Sequence, residues 1–418
     1  MTSVEPTEES SASSAAPVTW RLLFAVGEFR ALWGAQAVSI LGDQLARVAI
    51  GWLVYRDTGS ALLTAVVYAV TYLPWVVGGP LLGGLADRFR RRSVMVVCSL
   101  ISACLVVLLA VPGLPLPLLV GTLFLVVLLE SPYLSARAAL LVDVLPDDRY
   151  VLASGVGNVT SQAAQLAGFA GGGALVAVIG PRPALLIDAA TFIFSALLVR
   201  FGSRLRPASR DAAEDAGGIA GWSRQLRSGV RTVFGDPTLR RLVLLAWLAT
   251  FTVAPEGLAA PIADRLGGGA GSLGLLLAAD PAGAVVGALL VTRFVQPPRR
   301  LRWLVPLALL TCVPLLAYAT LPPLPVLLTV LVLSGLGSSY QLIANATFMQ
   351  LVPAASRGQA FSLAAAGLVA GQGLGLAAAG ALTEVLSPER VVAASALLAL
   401  VLVLPLRTAG GVLAARAA

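Results

Sequence analysis

Gly83-Gly84-Leu85-Ala86-Asp87-Arg88-Phe89-Arg90-Arg91-Arg92 lies where one long apolar run, residues 62–86, gives way to another, residues 93–112. Glycines and one acid are followed within a few positions by a cluster of arginines, and then the chain returns to aliphatic residues. Such a stretch is too charged for hydrocarbon and too short to be a domain. It reads as an aqueous turn joining two helices, each long enough to cross a bilayer at about 20 residues.

The same alternation runs outward in both directions. Twelve spans are expected, at 31–55, 62–86, 93–112, 117–141, 151–178, 182–201, 239–262, 272–294, 303–321, 324–349, 358–385 and 389–407. The composition agrees. Of 418 residues, 58% are hydrophobic and 12% charged, about half the roughly 25% charge of a soluble domain. So little charge cannot cover a water-exposed surface, which excludes a soluble enzyme or a disordered hub. Residues 1–18, rich in Ser, Glu, Ala and Pro, read as a disordered tail with no cleavable signal. The organisation expected is an N-terminal six-helix half at 19–201, a cytoplasmic linker at 202–237, a C-terminal six-helix half at 238–408 and a tail at 409–418. Within the linker, Trp222 to Phe234 has the pattern of a surface amphipathic helix.

All 29 basic residues are arginine, and histidine is absent. A phosphate-binding loop of the GxxxxGK[ST] type lacks its lysine. Histidine-based zinc sites and Ser-His-Asp triads are likewise excluded. No enzyme chemistry and no cofactor are implied. Cys98, Cys104 and Cys312 lie in apolar runs and read as small buried hydrophobes. The formal net charge of +8 is topological: most arginines fall in alternate turns and the linker, whereas Arg56, Arg182, Arg265 and Arg390 fall in the others. By the positive-inside rule both termini are cytoplasmic. Basic residues spread over short turns do not make a nucleic-acid surface.

The chain also repeats itself at about half its length. Pro146 and Pro181 recur in register as Pro353 and Pro388, and between them Gln165 recurs as Gln372 and Gly168 as Gly375. Each repeat starts on the cytoplasmic side and holds six spans, so the halves are like-oriented, with a binding site expected between them near the bilayer midplane.

Ionisable groups inside a bilayer are functional candidates by default. Gln36, Ser39, Asp43 and Arg47 share one face of span 1. Glu130 and Arg137 lie on span 4, Glu256 beside Pro255 on span 7, Asp280 beside Pro281 on span 8, and Ser334, Ser338, Gln341 and Asn345 along span 10. Spans 1, 4, 7 and 10 are therefore expected to face one wet central cavity, with these side chains binding substrate or protons. Asp43–Arg47 and Glu130–Arg137 read equally as neutralised pairs that hold helices together. Asp188 on span 6 is placed near the outer interface. Trp33, Tyr68, Tyr72 and Tyr340 are candidates for lining a pocket and read equally as packing or interfacial anchors.

The loop quoted first resembles the GxLaDrxGrr signature of the major facilitator superfamily. Leu41-Gly42-Asp43-Gln44 leading to Gly51-Trp52-Leu53-Val54-Tyr55, and Ala136-Arg137-Ala138-Ala139-Leu140, resemble the branch of bacterial macrolide-type and siderophore exporters. The resemblance covers about residues 20–408. It implies an all-α membrane protein of twelve helices in two parallel halves. Asp87 would sit against the cytoplasmic start of a helix from the other half, and Gly83, Arg88, Arg91 and Arg92 would complete a gating loop. The signature's second glycine is Arg90 here, and the second-half copy, Gly287 to Arg293 with Arg299-Arg300, has no aspartate, so a one-sided latch is expected. The Gly-Pro pair of span 5 in drug antiporters is replaced by Gly168-Phe169. The expected function is export of a small hydrophobic or amphipathic molecule, driven by protons, from a monomer in the plasma (inner) membrane. The alternatives are uptake or facilitated diffusion on the same scaffold, and a non-transporting sensor or assembly factor.

Overall fold

A computed structural model describes residues 20–82, 88–145, 148–206, 218–296, 299–353 and 356–403. These residues are helical nearly throughout. Eleven helices among them are long and apolar enough to cross a membrane: α1 Gly27–Thr58, α2 Ala61–Gly78, α3 Arg91–Leu109, α4 Leu116–Val144, α5 Leu152–Ile179, α6 Pro181–Gly202, α7 Pro237–Gly257, α8 Gly269–Phe294, α9 Arg300–Thr320, α10 Leu324–Leu351 and α11 Arg357–Leu382. A further helix, α12, is described over Pro388–Val403. A short helix, Trp20–Ala25, precedes α1, and a linker helix, Gly218–Gly235, lies between α6 and α7.

Local chemistry sets the starts and breaks. Ser60 Oγ accepts from Leu63 N at 3.2 Å to begin α2. Asp236 accepts from Thr238 N at 2.6 Å and places Pro237 at the first position of α7. Several spans that read as continuous are broken. The α2 helix turns at Thr71–Tyr72, just before Pro74. The α7 span is four short pieces, Pro237–Ala246, Ala249–Thr252, Ala254–Gly257 and, beyond the apolar window, Ala259–Arg265. Pro255 and Pro261 each remove a backbone donor there. The α9 span tightens to a 3-10 helix over Pro314–Thr320, and α10 breaks at Ser339.

The α1 helix packs between α5 and α6, α3 packs between α4 and α6, and α2 lies on α4. Later in the chain, α10 packs on α8, α9 and α7, and α12 on the 3-10 end of α9. Two long seams join the early helices to the later ones, α5 on α8 and α2 on α11. Glycine makes the first seam possible: a Cβ on Gly173 would stand 2.6 Å from Gly274 Cα.

The buried cores show how the molecule divides. At the end bearing the α1–α2 and α5–α6 turns, one core draws side chains from both parts of the chain, among them Val48, Ala65, Leu258 and Leu273. At the arginine-rich end the core splits in two. One cluster contains only residues between Leu23 and Val199, and the other only residues between Val233 and Val403. The early and late helices therefore share one buried core at one end and have separate cores at the other.

Large apolar side chains cover the outer helix faces, as on α3, where Val97, Leu100, Ile101 and Val107 are exposed. Lipid rather than water suits such a surface. Cys98 and Cys312 are buried as expected, but Cys104 is exposed on this face. An apolar run alone does not distinguish a lipid-facing position from a protein-facing one.

Candidate functional site

Two cavities lie between the helices, where the sequence suggested one. The larger, about 390 Å³, is lined by α1, α2, α3, α4, α5 and α6 alone. The smaller, about 220 Å³, is lined by α7, α8, α9, α10 and α11 together with Arg47 of α1 and Gln165 and Phe169 of α5. Arg47 and Gln165 border both. The expected chamber walled by spans 1, 4, 7 and 10 is thus corrected: α1 and α4 face the larger cavity with α2, α3, α5 and α6, whereas α7 and α10 face the smaller.

The larger cavity gathers acids. Asp43, Glu130 and Asp188 all line it. Asp188 is 1% exposed and accepts from Thr191 Oγ1 at 3.2 Å, so it is a buried cavity residue and not the outer-interface residue expected. Gly42 explains why: a Cβ there would meet Asp188 Oδ1 at 2.3 Å and Thr191 Oγ1 at 2.1 Å. A side chain at position 42 would push the aspartate out. Around the acids stand hydroxyls and carboxamides, Ser39, Ser99, Ser102, Gln36 and Gln162, and apolar groups such as Val126 and Phe192. Gln36 Nε2 donates to Ser161 Oγ at 3.2 Å.

Arg47 does not pair with Asp43, one turn away on its own helix. Its Nη2 donates to Glu256 Oε1 of α7 at 2.7 Å. Tyr72 of α2 donates to Glu256 Oε2 at 2.9 Å, and Tyr68 donates to the Arg47 carbonyl at 3.0 Å. The break of α7 around Pro255 sets Glu256 at this junction, and the α2 turn at Thr71–Tyr72 presents Tyr72 to it. Sequence reading offered both tyrosines as pocket residues or as anchors. Tyr340 does act as packing, 1% exposed with its hydroxyl on the Leu245 carbonyl at 3.1 Å. Trp33 donates to Thr160 Oγ1 at 2.8 Å.

Arg137 does not pair with Glu130 either. Its Nε is buried without a hydrogen-bond partner among the described residues. Its guanidinium and the Gln36 carboxamide both approach Gly157 of α5.

The smaller cavity holds Glu256, Asp280, Gln341, Ser334 and Ser338, all proposed from sequence, and adds Thr252, Gln165 and Gln372. Asn345 is exposed and lines neither cavity, because the break at Ser339 turns the second piece of α10 away from the stripe. Gln165 and Gln372 were not proposed as site residues, yet the repeat register was the signal that could have found them.

Of the gating loop, Gly83 and Asp87 lie outside the described residues. Arg88 lies over the Phe89 ring, 5.9 Å from its centre. Arg91 pairs with the Asp143 carboxylate of α4 and donates to the Ala139 carbonyl at 3.3 Å. Arg92 donates to the Ser203 carbonyl after α6 at 2.8 Å. These bonds stay among the early helices and do not latch them to the later ones.

Two stretches, residues 32–258 and 242–412, match the family model described as Major Facilitator Superfamily. The chain is 23% identical to macrolide efflux protein A of Streptococcus pyogenes over 291 residues, covering 68% of this chain and 69% of that protein. It is 28% identical to the multidrug efflux pump Tap of Mycobacterium bovis over 370 residues, covering 84% and 85%. Among solved structures it resembles the nucleoside transporter NupG, with a TM-score of 0.74 at 13% identity over 91% of this chain and 98% of that one. It also resembles a bacterial homologue of the human lysosomal transporter Spinster in an inward-facing, unoccupied conformation, with a TM-score of 0.67 at 16% identity over 95% and 98%.

Proposed function

Because the chain belongs to the Major Facilitator Superfamily, a family of membrane transporters and not of enzymes, we propose that it is a proton-coupled secondary transporter of a small hydrophobic or amphipathic molecule, working by alternating access. Secondary transport of a small molecule by a multi-pass inner-membrane protein follows from the family and fold. The coupling, the direction and the site are the proposal.

The observation that carries it is the cluster of Asp43, Glu130 and Asp188 in one cavity, whose neighbouring arginine is already engaged by Glu256. Three carboxyls lining one largely apolar cavity are a suitable place to exchange protons or take up a cation. The apolar lining supplied by Val106, Leu123, Val126 and Phe192 suits the body of an amphipathic substrate.

Twelve helices in two like-oriented halves, with Gly83, Asp87, Arg88, Arg91 and Arg92 as a loop that engages when the arginine-rich end closes, complete the reading. The sequence repeat supports it, and so does the apolar character of the sequence around Leu404 and Leu406. The arginine distribution puts both termini in the cytoplasm, so the core that splits at the arginine-rich end corresponds to a cytoplasm-facing state.

Export is the direction favoured by relatives named as efflux proteins. Uptake or facilitated diffusion is favoured by the solved structures named as nucleoside and peptide transporters, which cover more than nine-tenths of the chain. Flux in proteoliposomes, with a pH gradient imposed in either direction and with none, separates them. Accumulation of substrate on the acidified side supports export in exchange for protons, accumulation on the side opposite the acid supports uptake together with protons, and indifference to the gradient overturns the coupling.

A further inference from the structure

Trp75 takes no part in the polar junctions of either cavity. It lies on the second piece of α2, Leu73–Leu82, which follows the turn at Thr71–Tyr72 and runs toward the arginine-rich end. Its side chain lines the larger cavity and is also 46% exposed. Lining that cavity does not by itself expose a side chain: Val106, Leu109 and Asp188 line it too, and each is 1% exposed. Trp75 therefore stands where the larger cavity opens to its surroundings.

We propose that Trp75 is the closing residue of the larger cavity: its indole swings across the mouth behind an entering substrate and lies against the bound molecule, so that it sets which molecules reach the acids and hydroxyls beyond it. The proposal rests on the reading that this cavity holds substrate, and it adds to that reading a residue that contacts the substrate and controls its access.

The ring is free while the backbone beneath it is held. The indole N–H of Trp33 is fixed by Thr160 Oγ1 at 2.8 Å and that of Trp247 by the Ala364 carbonyl at 3.0 Å, whereas that of Trp75 has no hydrogen-bond partner among the described residues. Pro74 and Gly78 are buried one turn apart on another face of the same piece. Gly78 packs so closely on α4 that a Cβ there would stand 2.9 Å from Ser131 Cβ. Rotation of the side chain, and not movement of the helix, is therefore the motion available, and rotamer changes of exposed side chains are fast.

Tryptophan suits such a task. Its ring is large enough to cover an opening, flat enough to stack on an apolar or aromatic body, and carries one donor for a substrate acceptor. The side chains beyond it, such as Val126 and Phe192, continue the apolar surface inward. An interfacial anchor has a different character, with its ring among headgroups and away from any cavity. Trp303, 49% exposed and lining neither cavity, fits that description, and Trp75 does not. Cys98 supplies a reporter inside the chamber: it lines the same cavity and is 7% exposed. Cys312 is buried and lines neither cavity.

The test uses the full chain in lipid nanodiscs, with Cys104→Ala and Cys312→Ala leaving Cys98 as the target of N-ethylmaleimide, and alkylation followed by mass spectrometry. Trp75→Ala is expected to quicken alkylation of Cys98 several-fold, and Trp75→Phe to stay close to the native rate. A second chain that keeps Cys312, with Cys98→Ala and Cys104→Ala, controls for general loosening, and its alkylation is expected to ignore Trp75→Ala. An unchanged Cys98 rate in Trp75→Ala, or equal quickening of Cys98 and Cys312, overturns the closing role. In the flux assay Trp75→Ala is expected to raise KM several-fold and Trp75→Phe to restore most of it, and a native KM in Trp75→Ala overturns the contact with bound substrate. The same assay separates this from the functional reading. Alkylation and KM that behave as stated while flux ignores a pH gradient sink the proton-driven reading and keep the closing role. Gradient-driven flux with a Cys98 rate untouched by Trp75→Ala keeps that reading and sinks the closing role.

Discussion

Gln165 of α5 and Gln372 of α11 stand at the same position of the two sequence repeats, and both line the smaller cavity. Their carboxamides reach it from opposite parts of the chain, each offering donors and an acceptor. If a polar group of the substrate binds between them, removing either loses about one hydrogen bond, about 1 kcal/mol net. Gln165→Ala and Gln372→Ala are each expected to weaken substrate binding about fivefold, with the double variant close to the product of the two. Equilibrium binding in detergent checks this. Unchanged affinity in both single variants would place the substrate wholly in the larger cavity.

The α5–α8 seam depends on the absence of side chains at Gly173 and Gly274. A Cβ at Gly173 would also stand 3.0 Å from the Ala270 carbonyl oxygen, and one at Gly274 would stand 2.6 Å from the Phe169 carbonyl oxygen. These neighbours are backbone and cannot rotate away. Gly274→Ala is expected to destabilise the described state by about 1–3 kcal/mol, the usual cost of overpacking. Thermal unfolding in detergent should show a lowered midpoint, and cysteines placed at the end with the shared core should become more reactive, because the strain falls on the closed seam alone.

The all-helical, multi-span character was legible, eleven described helices being long and apolar enough to cross a membrane, because backbone groups must be satisfied inside lipid. The repeat register was legible too, and it carried Gln165 and Gln372 to one cavity. Partner choice was not. Arg47 has Asp43 at an ideal intrahelical spacing, yet it bonds Glu256 some two hundred positions away, because the breaks around Pro255 and at Thr71–Tyr72 bring Glu256 and Tyr72 to it, and local spacing says nothing about what a seam between helices brings near. Asp188 was misplaced for a related reason: the room it needs is made by Gly42 on another helix. Asn345 was placed on a stripe that the break at Ser339 interrupts. Cys104 shows the limit of apolar runs, which do not reveal which side of a helix meets lipid.

Glu28 ties the start of α1 to the chain that follows α6. Its carboxylate accepts from Arg206 Nη2 at 2.8 Å and Nη1 at 3.2 Å, and from Arg204 N at 2.5 Å. The hydrogen bond from Arg206, aided by the carboxylate charge, holds that guanidinium above its ordinary range, so it remains a cation at any working pH. Glu28→Gln keeps the shape and removes the charge. The expected loss is about 1 kcal/mol, since the pair is partly open to water. Limited tryptic proteolysis checks it: cleavage after Arg204 should quicken several-fold in Glu28→Gln, with little change in the melting of the helices themselves.

Arg137 offers a sharper division between stability and function. Its Nε is buried without a partner, and no carboxylate lies within ion-pair distance of it among the described residues. A buried charge left uncompensated costs free energy, and replacing it with an apolar side chain of similar length removes that cost. Arg137→Met is therefore expected to raise the thermal midpoint of the described state, by an amount matching about 1–3 kcal/mol. If the arginine is kept for transport, taking a partner in another state of the cycle, the same variant should lose most of its flux, tenfold or more. Lys in its place should restore part of the flux, since it retains the charge without the planar fork. A variant that is less stable but transports normally would instead show that Arg137 is bonded in the native protein and serves to hold α4 against α5.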